Sequence, residues 1–224
     1  MSDINHNDRE GIIKYHLDYQ SGPALDAGEL TELNAWRQVL YRLGLVGADP
    51  DRYEGLGFGN VSRRIAPFGT PPGQRRFLIS GTQTGALPRL SPDHYVLVSE
   101  CHPETNRVVA CGPVKPSSEA LTHGALYAAD PQLRAVLHVH SPEIWQAAMA
   151  LGLPVTDHRI AYGTPAMAAE MQRLYHAPEV RDGGVIVMGG HAEGVVSFGA
   201  GLSVAGSVMV RTLARALAVV GLNG

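Results

Sequence analysis

The sequence predicts an α/β fold, a mixed and largely antiparallel sheet covered by helices, formed by a single domain of residues 29–224 behind an N-terminal arm of residues 1–28. Three observations carry that expectation. Short runs rich in Val, Ile and Phe, bounded by Gly, Pro, Asn and Asp, follow one another closely in the manner of antiparallel strands. Apolar residues at three- and four-residue spacing mark helices early, midway and late in the chain. With 224 residues, 45% apolar and 17% charged, the chain suits one core of ordinary size and lacks the composition of a disordered segment.

Residues 1–28 show no clear period and contain the turn cluster Ser21-Gly22-Pro23, which defines the arm, with a neighbouring subunit as one place for it to lie. Between Glu29 and Leu43, the positions Leu30, Leu33, Trp36, Val39, Leu40 and Leu43 form a stripe that predicts an amphipathic helix stopped by Gly44. Strands are predicted over 58–65, 76–80, 95–99 and 107–111. The run Pro116-Ser117-Ser118-Glu119 offers hydroxyl caps and an acid to the first turn of a helix over 117–129, which Asp130-Pro131 ends. A strand over 135–140 runs into Ser141-Pro142-Glu143, a capping serine with proline at the first helical position, and Gly152 closes that helix. Another helix runs from Pro165 to about residue 176, strands lie near 185–188 and 195–198, and an amphipathic helix covers 202–220.

Composition also excludes several function classes. The net charge is −3 and no Lys/Arg cluster follows one helix or interleaves with aromatics, so no nucleic-acid partner is expected. The uncharged stretch 194–210 falls at the short end of a membrane span, but Gly199, Gly201, Gly206, Ser197, Ser203 and Ser207 interrupt it; a buried strand, a turn and a helix start are expected instead, and no membrane partner. Met1 to Glu10 are polar without a signal-like apolar core, and Cys101 and Cys111 are read as reduced, buried thiols of a cytoplasmic protein.

The sharpest chemical signal is Leu137-His138-Val139-His140. Residues two apart on a strand project to one face, so both imidazoles are able to share one ion; the same pattern also suits packed core histidines. Met188-Gly189-Gly190-His191 presents a third imidazole at a strand end where glycines let the backbone bend. Three neutral imidazoles leave a tetrahedral zinc with an open position, the composition of catalytic sites. Glu119 follows two serines at a helix start, where Ser117, Ser118 and the free amides are suited to a phosphate or carboxylate, or simply to capping the helix. Two glycine-containing loops, Gly57 to Ser62 and Ser80 to Gly85, are either ordinary turns or anion cradles; neither has the spacing of a nucleotide-binding loop.

Read in order, Gly59-Asn60-Val61-Ser62-x-Arg64, Thr82-Gln83-Thr84-Gly85, Pro116-Ser117-Ser118-Glu119, His138-Val139-His140 and His191 resemble the class II aldolase/adducin family. That resemblance spans about residues 29–217. It implies a three-layer α/β/α domain, commonly a homotetramer with sites between subunits. It also implies Zn2+, or Mn2+ or Co2+ in its place, on His138, His140 and His191, with Glu119 contacting the metal and moving protons. Asn60, Thr84, Gly85, Ser117 and Ser118 match positions that hold a substrate phosphate. The implied reaction is retro-aldol cleavage of a ketose phosphate or related hydroxy-carbonyl compound, a small carbohydrate-like substrate, through a zinc-stabilised enediolate. Epimerisation or dehydration of a sugar phosphate, and a non-catalytic adducin-like interaction module, are the alternatives.

Two departures from the family pattern stand out. The third histidine is usually followed at once by glycine, whereas His191-Ala192-Glu193-Gly194 inserts two residues. Glu193 is read chiefly as a solvated turn residue, otherwise as an extra base or as a partner of a metal ligand. The family's sugar-phosphate aldolases also use a tyrosine near the C-terminus as proton donor, but the last tyrosine here is Tyr175. Tyr162, a catalytic candidate, or His158 is the expected substitute.

Overall fold

A computed structural model of the chain describes residues 11–221; the first ten residues of the expected arm, including the polar stretch Met1 to Glu10, lie outside the described residues. In chain order the elements are β1 (His16–Ser21), α1 (Ala27–Arg42), β2 (Gly47–Ala48), β3 (Gly57–Phe58), β4 (Asn60–Arg64), β5 (Phe77–Ser80), β6 (Tyr95–His102) and β7 (Arg107–Gly112). They continue with α2 (Ala120–Ala129), β8 (Ala135–His140), α3 (Pro142–Ala147), α4 (Pro165–Tyr175), α5 (Pro178–Gly183), β9 (Val185–Val187), β10 (Gly194–Gly199) and α6 (Leu202–Val220).

Eight strands form one sheet in the order β1-β7-β6-β5-β4-β8-β10-β9, while β2 and β3 make a separate short ladder. Every pairing in the large sheet is antiparallel except that of β1 with β7, so the sheet is mixed and mostly antiparallel, as the close spacing of the strand runs predicts. Alternation along each strand feeds two cores. Phe77, Ile79, Val136, Val196 and Phe198 point into one, with residues of α2 and α4. Leu78, Leu137, Val139 and Val195 point into the other, with α1, α3 and α6. Helices therefore cover both faces, and the three-layer expectation holds.

Several elements differ from the sequence reading. Residues 16–21, read as part of an aperiodic arm, form the edge strand β1, registered from His16 on Arg107 to Ser21 on Gly112. Alternation is hidden there because the edge strand buries little on either face. On α1 the buried positions are Leu30, Leu33, Arg37 and Leu40, while Val39 and Leu43 are exposed. The serine-rich helix start lies later than expected: α2 begins at Ala120, and Ser117 to Glu119 form the turn before it. The short helix α5 was not anticipated. Stretch 194–210 folds as β10, a turn and the start of α6, and α6 packs against β10, β8, α1 and α3. Cys101 and Cys111 are both free thiols, the first buried and the second half-buried.

Helix α2 carries the turn with Glu119, and its seat depends on Gly124. A Cβ on that residue would come within 2.2 Å of Cys101 Sγ and 2.8 Å of Cys101 Cβ on β6. Gly124→Ala should therefore destabilise the protein by about 1–3 kcal/mol through overpacking, read as a lowered urea midpoint, and adding Cys101→Ala should recover part of the loss.

Candidate metal centre

Strand β8 alternates faces, so Leu137 and Val139 enter one core while His138 and His140 look out on the α2 side with Val136. In the sheet β8 lies between β4 and β10; His138 pairs with Asn60 on one side and Val196 on the other. His191 arrives on the loop joining β9 to β10, where its amide donates to Met188 O (3.2 Å) and its carbonyl accepts from Gly194 N (2.9 Å). Glycine is needed in that loop. A Cβ on Gly189 would lie 2.3 Å from Thr156 O, and one on Gly190 would lie 1.9 Å from Ile160 O.

The three imidazoles meet, each offering one ligand nitrogen within 4.8 Å of the others. Ring centroids stand 5.0 Å apart for His138 and His140, 5.3 Å for His138 and His191, and 4.7 Å for His140 and His191. The Nε2 atoms of His138 and His140 are 3.2 Å apart. Tetrahedral zinc with Zn–N bonds of about 2.0–2.1 Å sets its ligand nitrogens about 3.3 Å apart, so the donor set fits a divalent ion with little rearrangement. Burial lowers the pKa of His138 to about 4 and pushes those of His140 and His191 well below the usual imidazole value, assisted by the neighbouring positive charges. All three are neutral near pH 7, the form that ligates.

Glu119, expected to contact the metal, falls outside that close group. It is 1% exposed, and neither carboxylate oxygen accepts a hydrogen bond. Burial raises its pKa to about 7, opposed by the Thr122 hydroxyl, which is near but not in hydrogen-bonding geometry, and by Lys14. A Cβ on Gly163 would touch Ser118 O, Glu119 Oε1 and Lys14 Cδ at 3.2, 3.8 and 3.9 Å, so Glu119 and Lys14 converge on the Tyr162-Gly163 step. The Tyr162 ring packs on His191 at 4.3 Å between centroids, and Lys14 Nζ lies 3.6 Å above it. Tyr162 therefore joins the site, whereas His158, with a side chain 84% exposed beside Asp157, does not.

Asn60, Thr84, Gly85, Ser117 and Ser118 all line one small cavity, together with Gly11. Asn60 Oδ1 is buried there without a hydrogen-bond partner. The cavity volume is about 10 Å³, room for about one water. Two supports escaped the sequence reading. Arg37, 2% exposed, donates to the carbonyls of Thr84 (3.1 Å) and Gly85 (2.8 Å), holding that loop from behind. Its signal was present, a charge in the apolar series Leu30, Leu33, Leu40. Tyr53, which packs edge-on against His140 at 4.8 Å, had no local signal.

A mixed sheet between two helical layers, with three converging buried imidazoles at one sheet face, defines a candidate metalloenzyme of the α/β class. The Class II Aldolase and Adducin N-terminal domain matches residues 49–221, and the chain belongs to that family. Among solved structures the chain is similar to L-fuculose-1-phosphate aldolase from Thermus thermophilus, with 18% identity, 88% of this chain and 95% of that one covered, and a TM-score of 0.63. A sugar-phosphate aldolase from Thermotoga maritima gives 17%, 88%, 97% and 0.62. YgbL from Escherichia coli, named for three alternatives, aldolase, epimerase or decarboxylase, gives 20%, 87%, 89% and 0.60. Identities this low speak for the fold alone. No curated protein matches the chain.

The raised carboxyl of Glu119 has a consequence for stability. Its proton is held more tightly folded than unfolded, so its contribution is full below the ordinary 4.5 and is lost as pH rises towards 7. In metal-stripped protein, Glu119→Gln should match the parent near pH 4.5 and exceed it by about 3 kcal/mol above pH 7, measured by denaturant unfolding across that range. Equal stabilities at pH 8 would contradict a buried carboxyl that accepts no hydrogen bond.

Proposed function

We propose that the chain is a metal-dependent aldolase, a carbon–carbon lyase that cleaves a ketose phosphate or related hydroxy-carbonyl compound. The observation that carries this reading is the convergence of His138, His140 and His191 within 4.8 Å, all buried and neutral. These residues would hold Zn2+, Mn2+ or Co2+, which when bound supplies Lewis-acid stabilisation of negative charge on the substrate's carbonyl side.

This chain's own side chains supply the proton handling. With a pKa of about 7, Glu119 is poised to give or take the proton at the carbon next to the carbonyl once the C–C bond has broken. Tyr162, packed on His191, would serve as the acid in condensation, its phenol giving a proton to the aldehyde oxygen, and as the phenolate would take the hydroxyl proton back in cleavage. Asn60, Thr84, Gly85, Ser117 and Ser118 grip the far end of the substrate through amide and hydroxyl groups, the arrangement suited to a phosphate. The cavity as it stands holds about 10 Å³, so its lining has to widen to admit that end group. The family resemblance supports a homotetramer, which sedimentation of the purified protein tests.

Elemental analysis of purified protein, followed by a screen of the metal-loaded form for aldehyde release from ketose phosphates and 4-hydroxy-2-keto acids, tests the reading directly. His138→Ala should lose both metal and turnover. Glu119→Gln should keep the metal while turnover falls by about 10²–10⁴-fold, and Tyr162→Phe should lower aldehyde release by about a hundredfold. A metal-loaded Glu119→Gln variant as active as the parent would remove the proton role, and a screen giving inverted substrate without aldehyde would replace cleavage by epimerisation.

A further inference from the structure

Glu193 has no part in that chemistry, yet it is not the solvated turn residue that its sequence context suggests. Its side chain is 27% exposed, and Oε2 meets both Arg52 Nη2 and the Tyr53 hydroxyl. Arg52 Nη2 also donates to the Tyr53 hydroxyl at 3.0 Å. The backbone of Glu193 is engaged as well, its carbonyl accepting from the amide of Ser141 (2.9 Å), the residue after His140. Three segments thus meet on one residue: the end of β8 with His140, the loop with His191, and the 52–54 segment before β3.

That last segment walls the centre. Tyr53 stands edge-on to His140 with centroids 4.8 Å apart, Phe58 lies 5.3 Å from the same ring, and the two walls touch each other at 5.4 Å. Behind them His140 is 1% exposed. Tyr53, Glu54 and Glu193 have φ of 51°, 56° and 64°, a left-handed region that non-glycine residues occupy only when their surroundings fix it. Glu193 joins the strained backbone on one side to that on the other.

We propose that Glu193 is a positioning residue of the metal centre: its side chain holds Arg52 and Tyr53, its carbonyl holds Ser141, and together these fix the two loop ends that present His140 and His191. The same clasp shuts the His140 side of the centre with Tyr53 and Phe58, which leaves the Glu119–Tyr162 side for substrate. Inserting Ala192 and Glu193 before Gly194 is what allows the carboxylate to reach the 52–54 segment. This inference rests on the metal reading above, and its test separates the two.

The experiment titrates cobalt(II) into metal-stripped parent, Glu193→Gln, Arg52→Gln and the double variant, following the visible absorption of the bound ion, and records amide exchange in the metal-free forms. Each single change should weaken cobalt binding about tenfold, as loss of an outer support of a ligand does. The double variant should fall within about twofold of the weaker single, because both break one link. Exchange at Ser141 and Gly194 should quicken while β5, β6 and β7 stay protected, which shows that the fold persists. Turnover per loaded site should stay within about threefold of the parent. Unchanged cobalt affinity and unchanged exchange would overturn the proposal. So would a fall in turnover of about a hundredfold with affinity intact, which would make Glu193 a proton-transfer group. If the parent itself binds no cobalt, the aldolase reading fails, and the exchange rates alone then decide whether Glu193 clasps the loops.

Discussion

Strand β8 is covered on both faces, so its side chains have no register into which to slip. Leu137 and Val139 fill the core under α1, α3 and α6, and Val136 fills the one under α2 and α4. A shift of one residue would exchange the faces, putting imidazoles into a dry apolar layer and aliphatic groups at the site. Burying two such aliphatic side chains is worth about 1.5–3 kcal/mol each, enough to hold both histidines on the α2 face. On either side, β4 presents Asn60 opposite His138, and β10 brings back the chain that carries His191. The two strand histidines thereby take their facing from the packing of the core.

That burial also sets the protonation of the site. Desolvation penalises charge of either sign, so it lowers the imidazoles and raises Glu119, leaving three neutral imidazoles beside a carboxyl that titrates near pH 7. Neutrality is what ligation requires of a histidine, and a carboxyl near 7 exchanges protons readily. Behind the site, Ser62 Oγ lies 2.6 Å from His123 Nδ1 and 2.7 Å from Tyr127 OH, joining β4 to α2. Arg52, whose charge bears on His140, is met by Glu193. Lys14 remains the cation on the Glu119 side, brought there by the segment leading into β1.

What the sequence made legible follows from the range of each interaction. His138 and His140 were readable because a strand's period of two is local, and the glycines before His191 announced a bend. The Asn60, Thr84-Gly85 and Ser117-Ser118 loops were readable as glycine- and hydroxyl-bearing turns, and they do line one cavity. Arg37 was half-readable, a charge at a buried heptad-like position whose partners, two carbonyls 47 and 48 residues away, no local pattern shows. Strand β1 was lost because an edge strand pairing over 90 residues of separation needs no alternation of its own. The Arg52–Tyr53–Glu193 clasp was invisible for the same reason: its ends are 140 and 141 residues apart, and the left-handed backbone at Tyr53, Glu54 and Glu193 falls on residues that are not themselves glycine.

Sheet register also bounds the length of whatever the site binds. Asn60 and His138 are Cα partners across β4 and β8, so the cradle and the imidazole cluster share one rung, with Cα atoms about 4.5–5.5 Å apart. The other lip of the cradle is unable to retreat. Arg37 holds the carbonyls of Thr84 and Gly85 from behind, and a Cβ on Gly85 would already lie 2.6 Å from the Phe58 backbone. A ligand that touches both cradle and cluster would therefore span only a few bonds, and the cavity as it stands holds about 10 Å³. It is the hydrogen-bonded ladder between β4 and β8, and not the chemistry of the centre, that sets this distance.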